Sequence, residues 1–213
     1  MKKTNYSYIG ISFVILLFGI YAVPKIVDRL SAPDLATIGE VPPYSFTDQN
    51  GKTITNADYK GKVYVAEFFF ASCTDICPIM TENLTLVQDE FFGNPKVGMA
   101  SFTIDPQHDT PEILQQYAED HKITKPTWHL LTGDKTKILK LANEGFKLHA
   151  SESKDMEDPD AETIFEHSGF FALIDQDGNI RSRVDENDNP IVYYDGLDKD
   201  DVQMLIQDIH KLL

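Results

Sequence analysis

A stretch of apolar residues occupies the start of the chain. A basic N-terminus is followed by the apolar run 9–23, with Tyr6 and Tyr8 just before it. Together they approach the length of about 20 residues that a helix needs to cross a bilayer. No small-residue cleavage pattern follows, which favours an uncleaved anchor over a cleaved signal peptide. We therefore predict a single transmembrane helix within residues 1–30 and a short polar linker over residues 31–41.

Continuous apolar runs and short alternating segments predict the strands of one domain over residues 42–213. Residues 63–70 and 97–104 are apolar and rich in β-branched and aromatic side chains, as is typical of strands buried on both faces. Asn50 and Gly51 lie between two short alternating segments and predict a hairpin at the start of the domain. Further strands are predicted over residues 128–131, 168–174 and 179–184.

Helix signals alternate with these strands. Pro78 and Pro111 each lie in a first helical turn, where the missing N–H of proline costs nothing. Gly145 is expected to end a helix, because glycine is the preferred residue after a helix C-terminus. The predicted helices cover residues 76–89, 109–121, 134–143 and 198–213. Strands that alternate with helices predict an α/β fold with a mixed central sheet.

Length and charge limit the classes of function. The chain has 213 residues, enough for one ordinary domain and an appendage, and its formal net charge is −15. An acidic surface repels phosphate backbones, so nucleic acid is not an expected partner. The charge is compatible with cations or with a basic patch on a partner protein, and it does not identify either.

The two cysteines of the chain form a local pair. Cys73 and Cys77 lie between a predicted strand and a predicted helix N-terminus, which favours the thiolate form. On a regular helix, residues i and i+4 have Cβ atoms about 5–6 Å apart, whereas a relaxed disulfide needs about 3.5–4.5 Å. The spacing therefore favours a metal site. A disulfide stays open if Cys73 precedes the helix, and an inert buried pair is the third interpretation.

Two thiolates need a third ligand for most metals, and the chain has six histidines. His167 directly precedes a predicted strand and follows an acidic segment over residues 151–166, which we expect to be a mobile or simply solvated loop. From its position alone, a structural role for His167 is the favoured interpretation. His108, in a loop after a strand, is the second candidate. Two thiolates and an imidazole suit copper in either oxidation state, and also zinc.

Three segments together resemble the SCO/SenC family of copper proteins that assist cytochrome c oxidase assembly. They are residues 68–78, which include the run CTDICP from Cys73 to Pro78, residues 103–112, and the pair His167 and Ser168. The resemblance covers about residues 40–213. It implies a thioredoxin-like fold and copper bound by Cys73, Cys77 and His167. It also implies a copper donor protein, and delivery of the metal to the dinuclear copper centre of cytochrome c oxidase subunit II.

The anchor and the resemblance together indicate a location. We expect a single-pass protein of the bacterial inner membrane, with the C-terminal domain facing the periplasm. The alternative function is a thiol-disulfide oxidoreductase, which needs Cys73 and Cys77 but not His167. Apart from that activity, we do not expect an enzyme.

Other polar residues lie near the predicted site in the chain. By the resemblance, Asp105 and Asp109 belong to a structural loop and helix start beside the site. Glu67 interrupts the predicted central strand. It is either a buried carboxylate with a raised pKa that moves protons, or a solvent-facing residue at a strand end.

Overall fold

The computed structural model describes residues 7–30, 35–153, 164–185, 187 and 189–213. The chain divides into two compact units, residues 1–34 and residues 35–213. The second unit holds every predicted site residue.

Helix α1 covers Ser7–Leu30 in the first unit and coincides with the predicted anchor. Its apolar side chains are widely exposed, with Phe13 at 60% and Phe18 at 66%. In the part of the chain that the structure describes, no helix combines the length and apolar character needed to cross a membrane. The transmembrane helix predicted within residues 1–30 is therefore not shown.

A nine-stranded sheet and a small two-stranded sheet make up the β structure of the second unit. The strands are β1 (Ala36–Glu40), β2 (Ser45–Asp48), β3 (Thr53–Thr55), β4 (Val63–Phe69), β5 (Val97–Thr103), β6 (Trp128–Thr132), β7 (Ala150–Ser153), β8 (Ile164–His167), β9 (Phe170–Ile174), β10 (Asn179–Ser182) and β11 (Tyr194–Asp195). The large sheet has the order β1-β10-β9-β4-β5-β6-β2-β3, and β11 also pairs with β9. The β4–β5 and β5–β6 pairs are parallel, whereas the β4–β9 and β2–β6 pairs are antiparallel. The predicted mixed sheet and the predicted hairpin, which is β2–β3, are confirmed.

Helices cover both faces of the large sheet. They are α2 (Ile76–Glu90), α3 (Pro111–Asp120), α4 (Lys135–Lys140) and α5 (Lys199–Leu212). Every residue of β4 is buried, and its side chains alternate between two hydrophobic cores. Val65 packs in the core that contains Leu84 of α2 and Leu205 of α5. Phe68 packs in the core that contains Ile138 of α4. Burial on both faces explains why this strand has a continuous apolar sequence.

Strand β1 lies where a linker was expected. Ala36 is opposite Ser182 and Glu40 is opposite Asn179 in an antiparallel pair with β10. An edge strand is held by backbone hydrogen bonds on one side and has only partly buried side chains, so its sequence need not alternate. The linker was expected over residues 31–41, but residues 36–40 of it form strand β1. Residues 31–34 lie outside the described part of the chain.

Gly145 does not end the helix that begins after Asp134. A π-helical turn, Leu141–Phe146, continues from α4, and Lys147 takes the left-handed conformation with φ 54°. A Cβ on Gly145 would lie 2.9 Å from the side chain of Pro42, which is too close for any larger residue. Glycine is required here for packing, and the termination falls two residues later.

The acidic segment 151–166 is only partly a loop. Its two ends belong to β7 and β8, which pair antiparallel with Ala150 opposite His167. Residues 154–163 lie outside the described part, and so does the expectation of a mobile loop there. His167 therefore stands at the end of a strand rather than in a loop.

Candidate metal centre

Three elements carry the predicted ligands. Cys73 lies in the turn after β4, where its backbone N–H donates to the Phe70 carbonyl at 3.2 Å. Cys77 is in the first turn of α2, and His167 is the last residue of β8. The thiols therefore stand between a buried strand and a helix, as expected, and the imidazole reaches them from a distant part of the chain.

The structure brings these three side chains together. One ligand atom from each of Cys73, Cys77 and His167 lies within 4.8 Å of the other two. Within this group, Cys77 Sγ lies 3.0 Å from His167 Nε2. Both cysteines are free thiols; Cys77 is buried and Cys73 is half-buried. In the described ranges, no second group of at least three His, Cys, Asp or Glu side chains has this geometry.

The donor set fits a soft metal ion. Thiolate sulfur and imidazole nitrogen are ligands that suit copper and zinc, while the carboxylate ligands that suit calcium or magnesium are absent from this three-residue group. A structural zinc site normally uses four protein ligands. Three ligands leave one coordination position for a partner's ligand, and this arrangement favours a metal that is received and released.

The hydrogen bonds of His167 select the nitrogen that faces the thiols. His167 Nδ1 lies 3.1 Å from the carbonyl oxygen of Ser168, which can only accept, so Nδ1 carries the proton and donates it. Nε2 then has a free lone pair directed toward Cys77. The Phe70 ring contacts the imidazole edge to face, with centroids 5.9 Å apart, and fixes the ring plane. A hydrogen bond on the remote nitrogen is the usual arrangement for a metal-binding histidine.

The two thiols differ in their affinity for a proton. A hydrogen bond donated by Cys77 stabilises the Cys73 thiolate and lowers the pKa of Cys73 to about 4, although burial acts in the opposite direction. The same contact, together with burial, raises the pKa of Cys77 well above its usual range. In the metal-free pair, Cys73 is therefore the thiolate and the buried Cys77 keeps its proton. Metal binding requires both sulfurs as thiolates, so this proton must leave when a metal enters.

Asp109 connects the loop that carries Cys73 to the neighbouring strand. Its Oδ2 accepts a hydrogen bond from the Ala71 N–H at 3.0 Å and another from the Thr103 hydroxyl. Asp109 is 2% exposed, and burial raises its pKa. The expectation that Asp109 lies in a structural loop beside the site is confirmed.

Glu67 is a buried carboxyl group within strand β4. It is 1% exposed, and the Ser101 hydroxyl donates to its Oε1 at 2.7 Å. Trp128 Nε1 in turn donates to Ser101 Oγ at 2.9 Å. Burial raises the pKa of Glu67 to about 7, while the hydrogen bond from Ser101 acts in the opposite direction. The buried alternative for Glu67 is therefore the correct one.

Asn143 holds the hairpin that presents His167. Its side-chain nitrogen donates to the Ala150 carbonyl at 2.8 Å and to the Leu139 carbonyl at 2.9 Å, and its oxygen accepts from the Ala150 N–H at 3.2 Å. Ala150 is the residue opposite His167 in the β7–β8 pair. No sequence pattern pointed to Asn143, because its partner is a backbone seven residues away that had no predicted structure.

His108, His129 and His210 do not belong to this centre. His108 was the second candidate ligand; its side chain is 75% exposed and its Nδ1 lies 2.8 Å from Asp105 Oδ2. His129 contacts Asp48 at 3.0 Å, and His210 contacts Glu90 at 2.9 Å. None of the three belongs to the group around the cysteines.

Comparison with known sequences identifies one matching family and several relatives of this chain. The SCO1/SenC family matches residues 34–199. The SCO1 protein homolog of Bacillus subtilis is 32% identical over 143 residues, which are 66% of this chain and 71% of that protein. Mitochondrial protein SCO2 of Saccharomyces cerevisiae is 31% identical over 147 residues, and the matched region spans 68% of this chain and 47% of the yeast protein.

Solved structures show the same thioredoxin-like Sco fold. The structure that identified a disulfide switch in BsSco, a member of the Sco family of cytochrome c oxidase assembly proteins, is 28% identical with a TM-score of 0.65, covering 84% of this chain and 96% of that one. Bradyrhizobium japonicum ScoI with copper bound shares the fold at 24% identity and a TM-score of 0.62, covering 82% of this chain and 100% of that one. With the family match over most of its length, the chain belongs to the SCO1/SenC family.

Proposed function

We propose that this protein binds copper through Cys73, Cys77 and His167 and passes it to the dinuclear copper centre of cytochrome c oxidase subunit II. The observation that carries the proposal is the meeting of two thiols and an imidazole within 4.8 Å. These soft ligands come from distant segments, and the histidine is in the tautomer that binds through Nε2. Three protein ligands hold copper while leaving access for an incoming ligand.

Membership of the SCO1/SenC family supports a role in oxidase assembly. BsSco is described as one of the cytochrome c oxidase assembly proteins, and it is 28% identical to this chain. Subunit II as the receiver and a separate copper donor protein are the finer parts of the proposal. They rest on the family resemblance of the site, and a copper chaperone needs a source and a destination for its metal.

The test compares copper binding by two histidine variants of the reduced full-length chain. We expect one copper per chain in the wild type, with sulfur-to-copper charge-transfer absorption. His167→Ala should lose the copper or shift the absorption, because one ligand is removed. His108→Ala is the matched control: it also removes a histidine, but one that lies outside the three-residue group. Equal copper content and identical spectra in the two variants would contradict the proposed ligand set.

A thiol-disulfide oxidoreductase is the second candidate, and one observation favours it. Cys73 is half-buried and holds a lowered pKa, while Cys77 beside it is buried and protonated, so an accessible thiolate lies next to a second thiol. A disulfide switch is described in BsSco, a relative of this chain, and supports this candidate. Insulin reduction that survives His167→Ala, with no copper retained by the wild type, would favour this function.

We also propose that α1 attaches the protein to a membrane. The support is the set of large apolar side chains that this helix leaves exposed, including Phe13, Ile15 and Phe18. Location on the periplasmic side of a bacterial inner membrane is part of the same proposal. Fractionation of cells, followed by protease treatment of spheroplasts, tests both parts: a chain found in the soluble fraction would contradict attachment, and protection from protease would contradict the orientation.

A further inference from the structure

Large apolar side chains remain exposed beside the metal centre. Ile79 of α2 is 48% exposed, Phe170 at the start of β9 is 42% exposed, and Leu197 after β11 is 39% exposed. Side chains of this type are normally buried, and contiguous exposed groups of them mark interaction sites. The three residues come from three different segments of the chain.

Gly169 lies between Leu197 and the start of α2 and joins them into one surface. A Cβ built on Gly169 would be 3.4 Å from Leu197 Cδ1 and 4.0 Å from Ile76 Cδ1. Ile76 is three residues before Ile79, so both lie on the same face of α2. Phe170 follows Gly169, but side chains alternate along β9 and Phe171 is the one that packs on the α2 side, so Phe170 faces away from this surface. We call Ile76, Ile79 and Leu197 the apolar rim.

The apolar rim is continuous with the proposed copper ligands. Ile76 immediately precedes Cys77 in α2. Gly169 comes two residues after His167, and its carbonyl accepts a hydrogen bond from the Gly196 N–H at 2.7 Å. This bond fixes the segment before Leu197 against the segment after His167. A molecule that approaches the metal centre from solvent therefore meets the rim.

Acidic side chains flank the apolar rim along the chain. Asp75 precedes Ile76, Glu82 lies one turn after Ile79, and Asp198 and Asp200 follow Leu197; all four are exposed. Lys199, between the last two, is exposed as well. The rim therefore has an apolar centre with a largely negative border, which is the organisation of a specific protein interface.

We propose that the apolar rim is the docking surface for the copper receiver, and that the receiver presents its metal ligands on an apolar surface bordered by basic side chains. This inference rests on the proposed function. Copper passes between proteins by ligand exchange, and ligand bonds of about 2.0–2.3 Å require the two surfaces to touch around the metal. The apolar contact excludes water, and the acidic border steers a basic partner.

The experiment measures copper transfer from the full-length, copper-loaded, reduced chain. The receiver is the reduced apo copper-binding domain of cytochrome c oxidase subunit II from the same organism. A small Cu(I) chelator is the second receiver, because it needs no protein surface. The test variants are Leu197→Ser and Ile79→Ser, which lie in separate segments, so one still gives a result if the other lowers the folded yield. Phe92→Ser is the matched control, since Phe92 is 54% exposed and lies just beyond the other end of α2.

The rim variants should bind copper and deliver it to the chelator as the wild type does. Their transfer to the subunit II domain should be roughly 10-fold slower, whereas Phe92→Ser should not differ from the wild type. Raising the salt from about 50 to about 300 mM should slow transfer from the wild type to the domain but not to the chelator.

Two results would overturn the docking surface while leaving copper binding in place. One is equal transfer to the domain by wild-type and rim variants; the other is a copper-loaded wild type that delivers to the chelator but not to the domain. Failure of the wild type to bind copper at all would overturn the proposed function, and the docking surface with it.

Discussion

Glu67 is an acid whose charge the folded structure disfavours. Its Oε1 is satisfied by Ser101, but Oε2 has no hydrogen-bond partner among the residues that the structure describes. Loss of water around an ionised carboxylate is costly unless hydrogen bonds replace it. The pKa of about 7 in the folded chain is therefore well above the value of about 4.3 expected when the chain is unfolded.

Replacement of Glu67 by Gln should change the pH dependence of stability. Because the pKa of Glu67 is raised in the folded chain, the contribution of Glu67 to the free energy of unfolding is fully present below about pH 4.3. That contribution is lost as the pH rises through about 7. Relative to the wild type, Glu67→Gln should therefore gain on the order of 2–4 kcal/mol in unfolding free energy between pH 5 and pH 8. Urea unfolding at the two pH values measures this. The exposed Glu119→Gln is the control, and a difference that does not vary with pH would disprove the assignment.

Asp109 should act on the metal through the backbone that it holds. Asp109→Ala leaves the Ala71 N–H and the Thr103 hydroxyl without their acceptor, and we expect a loss of about 2–4 kcal/mol in unfolding free energy. The loop before Cys73 should loosen, weakening copper affinity about 10-fold, as is usual when outer hydrogen bonds are removed. Chelator competition measures the affinity. Asp109→Asn keeps one acceptor oxygen and should recover part of both losses; an affinity unchanged in Asp109→Ala would rule out the positioning role.

The elements differ in how far the sequence could predict them. Strands β4 and β5 are buried on both faces, so their apolar runs identified them directly. The residues that begin helix α3 are neighbours in the sequence. The Thr110 side chain accepts a hydrogen bond from the Ile113 N–H, and Pro111 is the first helical residue. Strands β1 and β8 depend on partners far away in the chain or beyond a long acidic segment. Their sequences are too short to identify a strand and its partner, and only the folded structure shows what they pair with.

The same distinction applies to the metal centre. The Cys73–Cys77 spacing and the position of the pair between a strand and a helix depend only on nearby residues. The sequence could therefore predict a reactive or metal-binding pair of thiols. The proximity of Cys77 and His167 depends on the tertiary structure, because the two residues are 90 positions apart in the chain. The choice of His167 over His108 depended on the family resemblance. The Ser168 carbonyl and the Asn143 side chain, which orient the histidine and its hairpin, had no sequence signal.

The β7–β8 hairpin should control how firmly His167 holds copper. Asn143→Ala removes both side-chain hydrogen bonds to the backbone of Ala150, opposite His167. We expect a loss of about 1 kcal/mol in unfolding free energy and copper affinity lower by about three- to tenfold. Chelator competition and the charge-transfer spectrum are the measurements. Asn94→Ala is the control, because it also loses a side-chain-to-backbone bond, but one before β5, at the opposite end of the parallel strands from Cys73. Equal affinities for the two variants would contradict this role.

At the scale of the whole molecule, the metal centre lies where separate parts of the fold converge. Cys73 follows the central strand, Cys77 begins a helix on one face, and His167 ends a strand of the small sheet. A metal bound by all three residues would link segments 90 positions apart. Such a link exists only in the folded chain, so metal binding and folding are coupled.

Copper should therefore raise the thermal stability of the reduced protein. At a free copper concentration about 1,000 times the dissociation constant, mass action adds about 4 kcal/mol, which corresponds to roughly 10 °C for a domain of this size. Oxidation of Cys73 and Cys77 removes two ligands, so copper should not raise the melting temperature of the oxidised chain. His167→Ala should lose most of the increase, because two neighbouring thiols alone leave β8 unconnected to α2. Calorimetry of each form with and without copper measures these shifts. An equal increase in wild type and His167→Ala would show that the metal does not connect the two segments.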